Sequence, residues 1–251
     1  VVAVEQRAEL EARQAAAIQL RGTVRRWWAP VGDSAGRGYG DADKAAVRSG
    51  LLEGVRSNAG VQAIRAQLVE TFKLVASHDF PGDWPGLVEQ LLAGLRSDDM
   101  QQTYCSLILV RRLFKQLESR PTSRRDELLA LNAAVLPVLK ALAPALAGTA
   151  AHPGPHRLEG VEMIKVIFKC FYSAFHTGVC PHVQQDIRDW MQLLLATADS
   201  LSMAPGQPEQ EAVTVAKCRK WVFHIFFRLC ARHGNARRCV NGGEAFAEAW
   251  S

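Results

Sequence analysis

Residue types that bind zinc come together at one point in the chain, in a His176-x3-Cys180-x-His182 motif. Cys170 precedes this motif by about one and a half turns of helix, and imidazole and thiolate are the usual zinc ligands. The spacing matches no standard zinc pattern, however, and Pro181 forces a turn that a corner between two helices already explains. We therefore interpret this group as a helical corner and predict no metal site there.

Two further groups of this kind are weaker. Cys230-x2-His233-x5-Cys239 begins in the apolar run of a predicted helix, and His152 and His156 share a loop that offers no third ligand. Catalytic patterns give no support either: the sequence has no H-E-x-x-H motif, and its G-x-S-x-G match at Gly32–Gly36 lies in a glycine-rich loop that follows no predicted strand. The adjacent carboxylates Asp98 and Asp99 lie between predicted helices, where acidic residues ordinarily cap helix N-termini. We predict no enzyme, no bound metal and no cofactor.

The composition is that of a folded protein with a large core. The chain has 251 residues, of which 48% are hydrophobic, and a formal net charge of +5. This charge suits an acidic partner but is too small for a nucleic-acid-binding tail, so we expect no direct contact with nucleic acid. The six cysteines are scattered through helical, apolar stretches and predict reduced thiols of an intracellular protein.

No membrane segment is expected. The charged residues within Val1–Leu20 exclude the apolar core of a secretory signal. Leu128–Ala147 is long and apolar enough to span a bilayer, but Lys140 lies in its middle and Pro137 and Pro144 interrupt it. A buried, kinked helix fits this segment better than a membrane span.

The stretch Asp79–Leu92, with the sequence D-F-P-G-D-W-P-G-L-V-E-Q-L-L, predicts a sharp corner between two helices. Pro81 ends the preceding helix because it lacks the backbone N–H that a helix interior needs. Asp83 is placed to cap the next helix, with Pro85 in its first turn. Trp84 is predicted to pack at the entrance of that helix.

Apolar residues recur at helical spacing along the whole chain, and no stretch alternates with period two over the length of a strand. The predicted helices are Glu9–Trp28, Asp43–Ser57, Gly60–Ser77, Pro81–Arg96, Asp98–Ser119, Asp126–Leu146, Arg157–His176, Pro181 through Leu195, Ala212–His233 and the opening of a further one at Glu244–Trp250. The helices pair at a repeat of about 40–47 residues, which is the HEAT/armadillo range. The sequence therefore predicts an all-α, right-handed HEAT-repeat solenoid of antiparallel helix pairs.

The second helix of each predicted pair carries a stripe of cations. These stripes are Arg65 and Lys73, then Arg111 and Lys115, then Lys165 and Lys169, then Lys217, Lys220 and Arg228. One such stripe is ordinarily a solvated helix face. In a stacked solenoid the second helices line the inner surface, so the stripes predict a continuous basic strip that binds a large or extended partner.

Several segments resemble one protein family in order and spacing over nearly the whole chain. They are Arg13–Leu20 with Trp27 and Trp28, Ile64–Leu68, Asp79–Trp84, Leu136–Leu139, Ile167–Tyr172, Trp190, Lys217–Ile225 and Arg228–Gly234. This pattern is similar to the N-terminal part of an importin-beta superfamily (karyopherin) nuclear transport receptor, in the branch of importin seven and importin eight. The resemblance implies one array over residues 1–251, with an importin-beta N-terminal region at about 1–80, further HEAT repeats at about 81–251, and both ends cut within the array.

The resemblance also implies partners. Members of the family bind the GTP form of the small GTPase Ran on the inner helices of their first repeats, which correspond here to Arg13–Trp28, Val61–Val75 and Asp98–Gln116. The Ran-binding candidates are Arg13, Gln14, Arg21, Arg65, Lys73, Arg111 and Lys115, and the candidates for cargo or the inner surface are Lys165, Lys169, Lys217, Lys220 and Arg228. The implied cargo is protein, such as ribosomal proteins or histones, carried between cytoplasm and nucleus through contacts with FG-repeat nucleoporins.

The sequence departs from the family at two places. The usual Leu-Lys-Asn of the first inner helix is Leu20-Arg21-Gly22 here, and glycine removes a side-chain hydrogen bond and about 1 kcal/mol of helix propensity. The family branch tends to have an acidic loop before the last of these helices, whereas the corresponding loop here, Ser200–Glu211, is only weakly acidic. Two alternatives to nuclear import stay open, an export receptor of the type that recycles importin alpha and a HEAT scaffold that works without Ran.

Overall fold

The structure, a computed structural model, describes residues 9–29, 38–118, 125–176, 178, 180–201 and 208–233. Within these ranges the chain forms helices and no strands. The helices are α1 (Leu10–Trp27), α2 (Asp41–Ser57), α3 (Gln62–Asp79), α4 (Leu87–Leu95), α5 (Met100–Glu118), α6 (Arg125–Ala151), α7 (Arg157–Phe175), α8 (Pro181–Gln185), α9 (Ile187–Ser200) and α10 (Glu209–His233). The predicted helix at Glu244–Trp250 lies outside the described residues.

The chain separates into two compact units, Val1–Gln116 and Leu117–Ser251, and each has its own core. In the first unit α3 packs against both α1 and α2. Its buried residues recur every three or four positions, as a core-facing helix requires. They are Ile64, Leu68, Val69, Phe72, Val75 and Ala76.

The corner after α3 forms as predicted, but the next helix begins later. The amides of Asp83 and Trp84 both donate to the carbonyl oxygen of Asp79, at 2.7 and 3.0 Å, which closes the turn. Trp84 is buried and its ring meets that of Phe72 at 5.6 Å, so its packing role is confirmed. The prediction that Asp83 caps the helix is wrong: α4 starts at Leu87, and its N-cap is Gly86.

Gly86 explains this late start. Its φ of 75° lies in the left-handed region, which a glycine adopts without the steric cost of a Cβ atom. The chain therefore cannot continue as right-handed helix from Pro81 to Leu87. The predicted helix Pro81–Arg96 is reduced to the nine residues of α4.

The core-facing side of α1 differs in part from the prediction. Helical spacing of the apolar residues predicts a core-facing side through Ala12, Ala15, Ala16, Ile18, Leu20 and Val24. Val24 is buried, but Ala12, Ala15 and Ile18 are exposed, and Ala17 takes the central buried position. The many alanines of α1 give a weak apolar pattern with no single preferred side. Packing against α3 decides which side is buried.

In the second unit the long helix α6 continues through Pro137 and Pro144 and packs against α7, α8 and α9. Among the described helices, α6 alone is long and apolar enough to cross a membrane. Its leucine-rich side is buried against its neighbours, as in the core helix of a folded domain. Leu131, Leu139 and Leu146 are each at most 3% exposed.

Close approach and aromatic stacking fix the rest of this unit. Gly160 of α7 lies so near α6 that an added Cβ atom would meet the backbone nitrogen of Ala150 at 3.0 Å. The predicted helix from Pro181 is broken at Asp186 into α8 and α9. Trp190 of α9 is fully buried and stacks on Phe171 of α7, with ring centroids 4.4 Å apart.

Candidate functional site

Five cations of the first unit lie on two neighbouring helices, α3 and α5. The side-chain amide of Gln116 on α5 donates to the carbonyl oxygen of Ala76 on α3 at 3.1 Å. Arg112 of α5 forms an ion pair of 2.9 Å with Glu70 of α3. These contacts bring together α3 and α5, and both helices carry predicted Ran-binding residues. We call the surface formed by Arg65, Lys73, Arg111, Arg112 and Lys115 the α3–α5 basic surface.

Arg65 is held in place at one end of this surface. Its guanidinium donates to the carbonyl oxygen of Ala59 and lies over the ring of Tyr104, 5.3 Å from the ring centroid. A guanidinium over an aromatic face is attracted by the quadrupole of the ring. Arg65 therefore positions Tyr104 and the start of α3 as well as contributing charge.

The other cations of the surface are more accessible. Lys73 is about half exposed, 3.7 Å from Glu70, and Lys115 is exposed. Arg111 is partly buried. Because Glu70 lies between Arg112 and Lys73, it offsets part of their charge, and the surface keeps more cations than carboxylates. It could therefore bind an acidic partner.

The candidates on α1 are in different environments. Arg13 donates to the side-chain oxygen of Asn58 in the turn between α2 and α3. Gln14 is exposed and Arg21 is partly buried. Gly22 is exposed, and an added Cβ atom would meet nothing within 4 Å. The side of α1 next to Gly22 is therefore open to solvent.

In the second unit the predicted inner cations lie on α7 and α10, which pack together. Lys217 and Lys220 are exposed and Arg228 is partly buried. Lys169 lies over the ring of Trp221, with its ammonium 5.3 Å from the ring centroid.

The expectation that Lys165 faces solvent is wrong. Lys165 is 6% exposed, and its ammonium lies 2.6 Å from the carboxylate of Glu162. A buried lysine needs a paired charge, and Glu162, three residues earlier on the same helix, provides it. Most of the charge of Lys165 is therefore compensated within the protein.

An aromatic cluster between α7 and α10 was missed by the sequence interpretation. Tyr172 stacks on the imidazole of His224 at 4.9 Å, and Trp221 meets both rings edge-on, at 5.5 and 5.4 Å. The spacing of Trp221 and His224, three residues apart on one helix, was a signal for it. With Lys169 beside it, this cluster forms a mixed aromatic and cationic surface.

The cysteines and histidines that the structure describes form no metal-binding group. Within the described ranges, no group of three or more His, Cys, Asp or Glu residues could hold a metal ion. Cys170 and Cys180 are both buried, and Cys180 receives a hydrogen bond from the amide of Asn132. Burial raises the pKa of the Cys218 thiol to about 12, so it stays protonated at neutral pH. Cys239 lies outside the described residues.

Comparison with known proteins defines the fold class first. No family model matches the chain. The fold is similar to that of the exportin Cse1 in its cargo-free, cytoplasmic state, with a TM-score of 0.81 over 98% of this chain and 27% of the exportin, at 15% identity. The predicted all-α HEAT-repeat fold is therefore confirmed.

The sequence comparisons then identify the relatives. The chain is 26% identical to importin-8 of Danio rerio over 98% of its length, and 26% identical to an importin beta-like SAD2 homolog of Arabidopsis thaliana, also over 98%. It is 25% identical to exportin-2 of Oreochromis niloticus over 71%. These homologues are nuclear transport receptors, which are not enzymes, and the resemblance to the importin-beta superfamily is confirmed.

The relatives are much longer than this chain. It covers 25% of the Danio rerio importin-8, 24% of the Arabidopsis thaliana protein and 19% of the Oreochromis niloticus exportin-2. The matched region is therefore about a quarter, or less, of each relative.

Proposed function

We propose that the protein acts as a karyopherin-type nuclear transport receptor that binds the GTP form of Ran and carries protein cargo into the nucleus. The observation that carries this proposal is the relationship to importin-8 over 98% of the chain. The HEAT-repeat fold supports it, since stacked helix pairs offer long surfaces for large partners. In this function the chain lies in one N-terminal HEAT array and needs no cofactor. The receptor shuttles between cytoplasm and nucleus, and FG-repeat nucleoporins are its further partners.

Ran binds, in this proposal, at the α3–α5 basic surface. Lys73 and Lys115 are exposed there, so a partner can reach them without any rearrangement of the helix. Arg65 is already oriented by Ala59 and Tyr104, so it loses little side-chain entropy on binding. Arg13, Gln14 and Arg21 extend the surface along α1, which packs against α3.

Protein cargo, such as ribosomal proteins or histones, binds elsewhere. The candidates in the second unit are Lys169, Lys217, Lys220 and Arg228, beside the aromatic cluster. Lys165 contributes through its ion pair with Glu162, which holds its position on α7, rather than through a solvent-exposed charge. A surface that mixes aromatic rings and cations recognises a protein partner through both packing and charge.

Export is the second candidate function. The relationship to exportin-2 over 71% of the chain favours it. The two directions differ in what Ran-GTP does to bound cargo. Ran-GTP releases the cargo of an import receptor and promotes binding of the cargo of an export receptor.

A cargo-release assay tests the proposal. The intact chain is saturated with a fluorescent histone or ribosomal protein, and Ran is added in its GTP or GDP form while polarisation is followed. Release by the GTP form alone is the expected result. Tighter cargo binding with Ran-GTP would establish export, and cargo binding that ignores both forms would establish the Ran-independent scaffold.

A further inference from the structure

The helices α7 and α10 run in the same direction along their contact. Arg157, at the start of α7, forms an ion pair with Glu211, near the start of α10. Further along, Tyr172 of α7 stacks on His224 of α10. Charge is therefore compensated at the start of the contact, where a carboxylate of one helix meets a guanidinium of the other.

The rest of α10 carries cations without carboxylates. From Ala212 to His233 the sequence contains no Asp or Glu. Polar and aromatic residues at positions 217, 220, 221, 224 and 228 recur at helical spacing and share one side of the helix. Its two lysines and its imidazole are exposed, and its indole and guanidinium side chains are partly buried. We call this set the basic side of α10: Lys217, Lys220, Trp221, His224 and Arg228.

The lysines of this side are available to a partner. Within the described ranges, neither Lys217 nor Lys220 forms an ion pair. On α7, the carboxylate of Glu118 is engaged elsewhere, because it accepts a hydrogen bond of 2.5 Å from the hydroxyl of Ser173 and lies 3.8 Å from Nε2 of His176. The positive charge of the basic side therefore needs an external counter-charge.

We propose that the basic side of α10 binds a short acidic segment of a partner protein in extended form. Lys217 and Arg228 are eleven positions apart on the helix, which corresponds to about 16 Å. About five residues of extended chain cover that distance. Alternate residues of an extended segment project to the same side, so three carboxylates of such a segment can meet the cations in order along the helix.

The aromatic rings favour an acidic peptide over single-stranded nucleic acid. Nucleic acid binding of that kind combines cations with open ring faces on which bases stack. Here Tyr172 is only 8% exposed and its ring stacks on His224, while the ammonium of Lys169 lies over the ring of Trp221. The rings therefore hold cations and each other in place, and carboxylates meet the exposed charges directly.

This inference names the chemistry of the segment that the proposed cargo surface takes, so its biological meaning rests on the proposed function. A basic segment would be repelled by Lys217 and Lys220. Cargo that is basic overall, such as a histone, would therefore meet this surface with an acidic stretch of its chain.

Fluorescence polarisation with a labelled ten-residue peptide of alternating glutamate and serine provides the test. We expect the intact chain to bind it about tenfold more tightly at low salt than the matched glutamine and serine peptide, and the difference to shrink at high salt. Lys217→Glu/Lys220→Glu should remove this preference, whereas Lys217→Arg/Lys220→Arg should keep it. Equal binding of the two peptides by the unaltered chain overturns the proposal.

Matched controls separate this surface from net charge and from nucleic acid. Arg25→Glu/Arg26→Glu changes two exposed cations of α1 and the net charge by the same amount, and should leave peptide binding unchanged. An equal loss in both double variants overturns the proposal in favour of net charge. Tighter binding of a ten-residue oligothymidylate, lost in Lys217→Glu/Lys220→Glu, overturns it in favour of single-stranded nucleic acid.

A parallel Ran titration separates this inference from the proposed function. Lys217→Glu/Lys220→Glu should bind Ran-GTP as the unaltered chain does, because Ran is placed on the α3–α5 basic surface. Peptide binding in a chain that ignores Ran would overturn the proposed function alone. Ran binding in a chain that does not distinguish the two peptides would overturn this inference alone.

Discussion

The indole Nε1 of Trp28 donates a buried hydrogen bond of 2.8 Å to Oδ1 of Asp79. Trp28 directly follows α1 and Asp79 is the last residue of α3, so this bond joins the ends of two helices. Arg48 of α2 donates to the other carboxylate oxygen of Asp79 at 2.9 Å and to the carbonyl oxygen of Asp83 at 2.5 Å. One carboxylate therefore connects three helices at the corner before α4.

Removing this carboxylate should destabilise the first unit. Asp79→Ala leaves the indole N–H of Trp28 and the guanidinium of Arg48 without their buried acceptor, at a cost of about 3 kcal/mol. The midpoint of urea unfolding, followed by circular dichroism, should fall accordingly. Asp83→Ala is the matched control, because that side chain is exposed and only its backbone oxygen meets Arg48. Equal midpoints for the two variants would contradict the assigned role of Asp79.

Two glycines of the second unit should respond in opposite directions to alanine. At Gly160 the added Cβ meets the backbone of Ala150 at 3.0 Å, so α6 and α7 must separate and the protein should lose about 1–2 kcal/mol of stability. At Gly148, inside α6, a Cβ meets nothing within 4 Å, and alanine should stabilise the helix by about 0.5–1 kcal/mol. Thermal unfolding of both variants provides the measurement. A stabilising Gly160→Ala would show that α6 and α7 do not approach so closely.

The ion pairs of Lys140 predict a weak dependence of stability on pH. Its ammonium lies 2.7 Å from Asp186 and 2.9 Å from Asp189, and these carboxylates raise its pKa above the ordinary 10.5. A raised lysine pKa gives stability that is fully present below 10.5 and is lost as the pH rises through the folded pKa. Because the groups are partly exposed, Lys140→Gln should cost at most about 1 kcal/mol at pH 7.

The difference between wild type and Lys140→Gln should then begin to shrink as the pH rises above 10.5. Urea unfolding between pH 7 and pH 11 measures it, with Lys217→Gln, an exposed lysine on α10, as control. A difference that persists unchanged to pH 11 would mean that Lys140 stabilises α6 through packing rather than charge.

Charge reversal on the α3–α5 basic surface should weaken Ran binding. Lys73 is about half exposed, so Lys73→Glu changes the surface charge without disturbing the core. We expect the affinity for Ran-GTP to fall about tenfold at low salt, with a smaller effect at high salt. Arg96→Glu, an exposed cation after α4, is the control and should leave the affinity unchanged. Equal losses in both variants would indicate a response to net charge rather than to this surface.

The helices could be predicted from sequence because their apolar residues recur regularly, and Pro81 marked the corner correctly. The start of α4 could not, because several residues after Pro81 are compatible with a helix and only the φ of Gly86 excludes it. The side of α1 that is buried was also unpredictable, because its alanines mark no single face. The start of α4 is therefore decided by the left-handed backbone at Gly86, and the buried side of α1 by its packing against α3.

In the candidate site, too, the sequence alone could not show which side chains are buried and which are accessible. Lys165 and Lys169 are one turn apart and look equivalent in sequence, yet Lys165 is buried against Glu162 while Lys169 lies over Trp221. The exposure of Phe227 was missed because it is adjacent to the partly buried Phe226 in an apolar run. Charge type could be predicted from the sequence, whereas accessibility depends on tertiary packing.

Titration of the intact chain with Ran, loaded separately with GTP and GDP, tests the central claim most directly. Calorimetry on a sample shown to be helical and monodisperse gives both affinities. The account predicts binding of the GTP form with a clear preference over the GDP form. Equal binding of the two forms, or no binding of either, would contradict it.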